Sequence, residues 1–168
     1  MVDIIPATEN DIQRILEIEQ EAISPPWTHG ALLSEIYKED SYFIVAIEDC
    51  ASSVIDIYDN ASPAVDNAAS PAVVGFAILR HVGDDGELLQ IAVDKAQRRG
   101  GVGELLMIAA LEYAREKALN SVFLEVRRGN TAAVGLYKKH GFNSVRTRKD
   151  YYSDPVEDAV VMVKPLAD

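Results

Sequence analysis

Between Leu88 and Ala118 three patterns follow one another without a break: an apolar run, a basic glycine-rich stretch and a long amphipathic segment. Leu88 to Val93 is apolar except for Gln90, which reads as a strand covered on both faces. Glu104 to Ala118 carries Leu105, Ile108, Ala109 and Leu111 at the spacing of a strong helix. The join is Gln97 to Gly103, which includes Arg98, Arg99, Gly100, Gly101, Val102 and Gly103. A strand that passes to a helix through such a turn aims several backbone N–H groups and the positive helix end at one point. Such a point binds an anion, commonly phosphate. Glycines let the anion approach the backbone, and the arginines add charge-assisted hydrogen bonds. The plainer alternative is a tight turn that needs glycine only for its dihedrals. Three glycines in the four residues from Gly100 to Gly103, beside two arginines in an acidic chain, favour the anion. The ending rules out two common phosphate loops. No Gly-Lys-Ser/Thr closes it, and Gly101-Val102-Gly103 runs into Glu104-Leu105-Leu106, which lacks the third glycine of a dinucleotide fingerprint.

The rest of the chain supplies a mixed α/β order. After the apolar start Ile4 to Ala7, Thr8-Glu9-Asn10-Asp11 is an N-cap signature, and Ile12, Ile15, Leu16 and Ile18 follow as an amphipathic helix. Ser24-Pro25-Pro26 breaks it, and Leu32, Leu33 and Ile36 mark a second helix beyond Trp27-Thr28. Phe43 to Ile47, Val73 to His81 and Ser121 to Val126 read as strands. Asn130-Thr131 caps a short helix through Tyr137, which stops at Gly141, where a left-handed C-cap is expected. Phe142 to Val145 and Ala159 to Val163 close the chain as a strand pair joined through Tyr151-Tyr152-Ser153-Asp154-Pro155. The order is strand, two helices, three strands, helix, strand, helix, two strands, which suggests one sheet with helices on both faces. Residues 51–72 differ from the rest, with Ser-Pro twice and Ala61 to Val65 recurring as Ala69 to Val73. They read as a mobile hairpin insert within a single domain that spans residues 1–168.

The net charge of −11 argues against a nucleic-acid partner, whose affinity would come from neutralised phosphates. It suits a cationic partner, although acidic charge can also serve solubility alone. No apolar run approaches a membrane span, the N-terminus shows no secretory pattern, and the single Cys50 leaves no internal disulfide framework. These features point to the cytoplasm. His29, His81 and His140 show no metal-ligand spacing, so no metal is assigned.

Glu125 stands inside an otherwise apolar strand. Burial there disfavours the charged form of a carboxylate and suits it to accept a proton. A salt bridge with Arg127, or a solvated strand end, would read as well. Glu87, just before the apolar run of Leu88 to Val93, is a rival base, with a solvated turn residue as the simpler view.

Taken together, Arg98, Gly101 and Gly103 after Leu88 to Val93 resemble the acetyl-CoA pyrophosphate loop of the GNAT acetyltransferases. Leu124-Glu125-Val126-Arg127, Asn130, Leu136-Tyr137, Gly141-Phe142, Tyr151-Tyr152 and Glu157-Asp158-Ala159 match, in order and spacing, the bacterial branch that acetylates ribosomal-protein N-termini at alanine. Pro26-Trp27 fits that branch, and the resemblance runs from Ile4 to Met162 outside the insert. Arg128-Gly129 and the short Ser153 to Val156 turn depart from it. The resemblance implies a GNAT fold, a mixed and mostly antiparallel sheet of about six or seven strands with about four helices. It implies acetyl-CoA as cosubstrate, bound by Ile91-Ala92-Val93, by Arg98 to Gly103 with Glu104, and by Asn130. It makes Glu125 the proton acceptor and Tyr137 the donor to the CoA sulfur, although spacing alone would make Tyr137 a packing residue. The implied acceptor is a protein or peptide N-terminus, of a basic ribosomal protein, with neither nucleic acid nor membrane as a direct partner. A lysine side chain, a small amine, or CoA binding without catalysis are the alternatives.

Overall fold

The computed structural model describes residues 1–48 and 72–166. The expected insert at 51–72 lies outside the described residues, apart from Ala72. The first turn forms where Thr8 donates its N–H and its hydroxyl to Asp11 Oδ2, at 2.7 and 2.8 Å. A single 3-10 turn there leads into the first α-helix. The elements among the described residues are β1 (Val2–Pro6), α1 (Ile12–Ala22), α2 (His29–Ile36), β2 (Ser41–Glu48), β3 (Ala72–Val82), β4 (Asp85–Val93), α3 (Val102–Glu116), β5 (Ser121–Arg127), α4 (Thr131–Lys139), β6 (Asn143–Ser153) and β7 (Val156–Pro165). This is the order read from the sequence. Gly141 follows α4 at φ +86°, the left-handed stop that was expected.

The strands form one sheet in the order β1-β2-β3-β4-β5-β7-β6. Every neighbouring pair is antiparallel except β4 and β5. Successive residues of a strand point to opposite faces. Phe43, Val45, Phe76 and Ile78 therefore pack with Ile12, Ile15, Ile18 and Leu32 of α1 and α2. Ile44, Ala46, Val74 and Ala77 pack on the other face against Val102 and Leu106 of α3. A second part of that face, under α3 and α4, gathers Leu88, Met107, Val122, Leu124, Tyr137, Phe142 and Met162. Leu106 and Met107 are fully buried, and each contributes about 1.5–3 kcal/mol by leaving water.

Gly75 decides how closely α3 lies on the sheet. A Cβ there would stand 2.9 Å from the Ala92 carbonyl oxygen, 3.1 Å from Leu106 Cδ1 and 3.2 Å from Val102 Cγ1. Only glycine admits the start of α3 so near β3 and β4.

The final hairpin is longer than its apolar residues suggest. Strand β6 continues through Tyr151, Tyr152 and Ser153, and the connection shrinks to Asp154-Pro155. β6 is an edge strand exposed along both faces, so its polar residues Arg146 to Asp150 hide a ladder that register makes plain. Among the described residues no helix is long and apolar enough to cross a membrane.

Candidate active site

The site begins as a failure of two strands to stay together. β4 and β5 pair only at Gly86 with Val122 and at Glu87 with Phe123. On the outer sides both strands remain laddered, β4 to β3 and β5 to β7. The cause of the parting is visible in the β3–β4 register. Ile78 faces Gln90 and Leu79 faces Leu88, so Leu89 is an extra residue on β4. Such a bulge bends its own strand and breaks the strict alternation. The expected two-sided coverage of this run is correspondingly incomplete, because Leu89 and Ile91 are only half-buried where β4 borders an opening. Beyond Glu87 the edge of β4 facing β5 has no strand partner among the described residues. A cleft of about 580 Å³ occupies the gap.

Glu87 and Glu125 both line this cleft. Burial, and then the negative charge of Glu125, push the Glu87 carboxyl above the usual carboxylate range, only partly offset by Arg80. Glu87 makes no side-chain hydrogen bond among the described residues. Glu125 is ion-paired with Arg148 of β6, and the Arg148 guanidinium lies 4.2 Å over the Tyr151 ring. The pairing of Glu125 with Arg127, considered from the sequence, does not form; Arg127 pairs with Glu157 at 3.2 Å. Arg148 reaches Glu125 from two strands away because β6 is itself irregular. Lys149 to Tyr151 stand opposite the single Asp158, which re-aims the neighbouring side chains inward. Asp158 Oδ1 accepts the Asp150 N–H at 3.0 Å and steadies this bulge. The Glu125 carboxylate, and then burial, push the Tyr151 phenol above its ordinary value.

Tyr137 also lines the cleft and is 6% exposed, with its ring 5.9 Å from that of Phe142. Burial, and then the neighbouring Tyr152, push its phenol far above its ordinary value. Among the described residues its hydroxyl has no hydrogen-bond partner. Asn130 also lines the cleft, and its Oδ1 accepts the Ala133 N–H at 3.1 Å as the N-cap of α4.

The glycine-rich loop lies where β4 ends and α3 begins. Arg98 Nε donates to the Val93 carbonyl at 3.1 Å, and Arg99 and Gly101 take φ of +70° and +86°. Among the described residues, the N–H groups of Arg99 to Gly103 donate to no backbone carbonyl. They remain available to an anion, as the first N–H groups of a helix are. A methyl at Gly103 would lie 3.6 Å from the side chains of both Leu136 and Val93, so the loop ends between α4 and β4. Glu104, in the first turn of α3, is held by Lys139 of α4 at 2.7 Å from both carboxylate oxygens. That hydrogen bond holds its carboxyl below the usual range. The cleft thus brings together Ile91, Glu125, Asn130 and Tyr137; Val93 and Arg98 to Glu104 are not among its lining residues and lie where β4 passes to α3, and Ala92 is turned to the α1 face. Glu157 belongs to a motif the sequence singles out, but its pairing with Arg127 and that of Arg148 with Glu125 depend on strand order and were not readable.

Residues 12–142 match the model of the Acetyltransferase (GNAT) family. The chain is 31% identical to the [ribosomal protein bS18]-alanine N-acetyltransferase of Haemophilus ducreyi, over 92% of this chain and 93% of that protein. It is 34% identical to the protein of the same name from Haemophilus influenzae, over 90% of each. Among solved structures it is similar to the ribosomal-protein-S18-alanine N-acetyltransferase of Escherichia coli, with a TM-score of 0.78 and 27% identity over 100% of this chain and 96% of that one. By sequence, and by a sheet whose fourth and fifth strands part around a cleft, the chain belongs to the GNAT family of acetyltransferases.

Proposed function

We propose that this protein transfers the acetyl group of acetyl-CoA to the N-terminal α-amine of a protein, and that the acceptor is a ribosomal protein. The observation that carries the reading is the cleft between β4 and β5, lined by Glu87, Glu125, Asn130 and Tyr137, together with the unbonded backbone N–H groups of the loop in which β4 passes to α3. The ribosomal acceptor is supported by the names of the relatives and by the charge of −11, which favours a basic partner. The reaction is assigned to the cytoplasm.

Attack on the thioester needs a neutral amine, a place for its proton and a proton for the departing thiolate. The cradle from Arg98 to Gly103 takes the pyrophosphate, and the unpaired β4 edge at Ile91 to Val93 pairs with the extended pantetheine amides. Holding both reactants in one cleft supplies much of the rate. Glu125 accepts the amine proton once the amine displaces Arg148 from it. Tyr137 keeps its proton at neutral pH because burial favours the neutral phenol. As the C–S bond breaks, the phenol donates this proton to the departing sulfur, and the phenolate is reprotonated from solvent before the next turnover. A second reading gives the base to Glu87, whose carboxyl is free of hydrogen bonds and already shifted upward.

The test is incubation with acetyl-CoA and a basic peptide that carries a free α-amine and an internal lysine, read by fragment mass spectrometry. Acetyl on the first residue supports the proposal. Acetyl on lysine alone rejects the N-terminal acceptor, and no acetyl on any peptide or small amine rejects catalysis.

A further inference from the structure

Arg127 ends β5 with a side chain 19% exposed, and its guanidinium donates four hydrogen bonds to distant parts of the chain. Nη2 donates to the Ser24 carbonyl at 2.9 Å and to the Asp154 carbonyl at 3.0 Å. Nη1 donates to the Pro155 carbonyl at 3.0 Å and to Glu157 at 3.2 Å. The plane lies 4.2 Å over the Tyr152 ring. Ser24 Oγ adds a direct hydrogen bond to the Asp154 carbonyl at 3.1 Å. One side chain therefore ties the segment after α1 to the turn between β6 and β7. Both segments border the cleft, through Ile23 to Trp27 on one side and Tyr151 to Ser153 on the other. The inner side of the first segment is fixed separately. The fully buried Glu19 accepts the Trp27 N–H and the Gln90 amide, each at 2.8 Å on Oε1.

We infer that Arg127 is a positioning residue, and that the part of the cleft bordered by Ile23 to Trp27 and Tyr151 to Ser153, which it holds in shape, receives the acceptor. With Trp27 anchored from below by Glu19, the spacing between the two bordering segments is set from above by Arg127. Without that tie, both segments would have to be ordered when the acceptor binds, and the acceptor affinity would fall by that cost. The glycine-rich loop lies at the other end of α4 and is untouched by the tie. The effect belongs to acceptor binding and spares acetyl-CoA. Planarity matters as much as charge, because four acceptors are met by two nitrogens of one rigid fork. Glu157 extends the brace by accepting the Gly129 N–H at 2.5 Å, which ties it to the loop before Asn130.

The inference rests on the acceptor reading above, and the test has a readout that needs no acceptor. Arg127→Gln and Arg127→Lys are compared with the wild type in steady-state kinetics and in amide hydrogen exchange without ligands. The expected result is a peptide KM raised about tenfold, equivalent to one lost charge-assisted hydrogen bond. The kcat and the acetyl-CoA KM stay within about threefold of the wild type. Exchange in residues 23–28 and 151–155 becomes faster in both variants. Arg127→Lys keeps a cation beside Glu157, so wild-type behaviour of that variant in both readouts would overturn the inference. Unchanged exchange in the two segments would also overturn it, as would a fall of kcat and acetyl-CoA affinity together with peptide affinity. If Arg127→Gln does not fold, Arg127→Lys carries the same comparison. If the wild type acetylates no α-amine, the acceptor reading fails, and the exchange result still decides whether Arg127 ties the segments.

Discussion

Gly75→Ala tests whether the close approach of α3 builds the anion cradle. The added methyl would meet the Ala92 carbonyl oxygen at 2.9 Å, and that oxygen belongs to a laddered strand that cannot yield cheaply. The Leu106 and Val102 methyl groups, at 3.1 and 3.2 Å, must give by a few tenths of an ångström. Overpacking of this kind costs about 1–3 kcal/mol. The lower entropy of unfolded alanine returns about 0.4–1 kcal/mol. The net expectation is a loss of about 1–2 kcal/mol, which lowers the Tm by about 2–8 °C in a domain of this size. Because Val102 opens α3, the same shift moves the N–H groups of Val102 and Gly103 away from the end of β4. Thermal melts and titration calorimetry with acetyl-CoA measure both effects. A variant as stable as the wild type, binding acetyl-CoA equally well, would refute the packing argument.

Two further outcomes follow from buried polar groups. Tyr137→Phe removes a hydroxyl with no partner among the described residues, so the melting temperature should hardly move. The kcat should still fall by roughly 10²-fold, as for a lost general acid. Glu35 is 2% exposed and ion-paired with Arg80 and with Lys38, and burial pulls its carboxyl upward. The hydrogen bonds from Lys38 and Arg80 outweigh burial and hold it below the usual range. A carboxyl depressed on folding stabilises above its unfolded pKa, and that stability is lost as pH falls through the folded value. Glu35→Gln should therefore cost about 1.5–3 kcal/mol at neutral pH in denaturant titrations. The gap to the wild type should shrink at pH values below the ordinary glutamate range.

The element order was legible because each signal is local. Ile12, Ile15 and Ile18 announce α1, and the glycines of 100–103 announce the cradle without reference to any other strand. The cleft itself is a product of register. Nothing in Leu88-Leu89-Gln90 marks Leu89 as the extra residue that bends β4 from β5. Likewise the three residues Lys149 to Tyr151 gain meaning only opposite Asp158, and they bring Arg148 to Glu125. Arg127 is two residues from Glu125 and was the natural partner by proximity, yet the turn at Asp154-Pro155 claims it. Polar edge strands such as β6 are the least readable, since exposure of both faces removes the apolar alternation that marks a strand.

The chemistry assigned to the cleft is tested most directly by the kcat of Glu125→Gln and Glu87→Gln at saturating acetyl-CoA, measured across pH. Glutamine keeps the volume of glutamate and removes the base. The account predicts that Glu125→Gln binds acetyl-CoA as the wild type does and loses roughly 10²–10⁴-fold in kcat. Part of that loss should return as rising pH deprotonates the amine in solution. Glu87→Gln should show a much smaller loss. A crippled Glu87→Gln beside a near-normal Glu125→Gln would move the base to β4. Normal turnover in both variants would contradict the claim that the carboxylates between β4 and β5 take the proton.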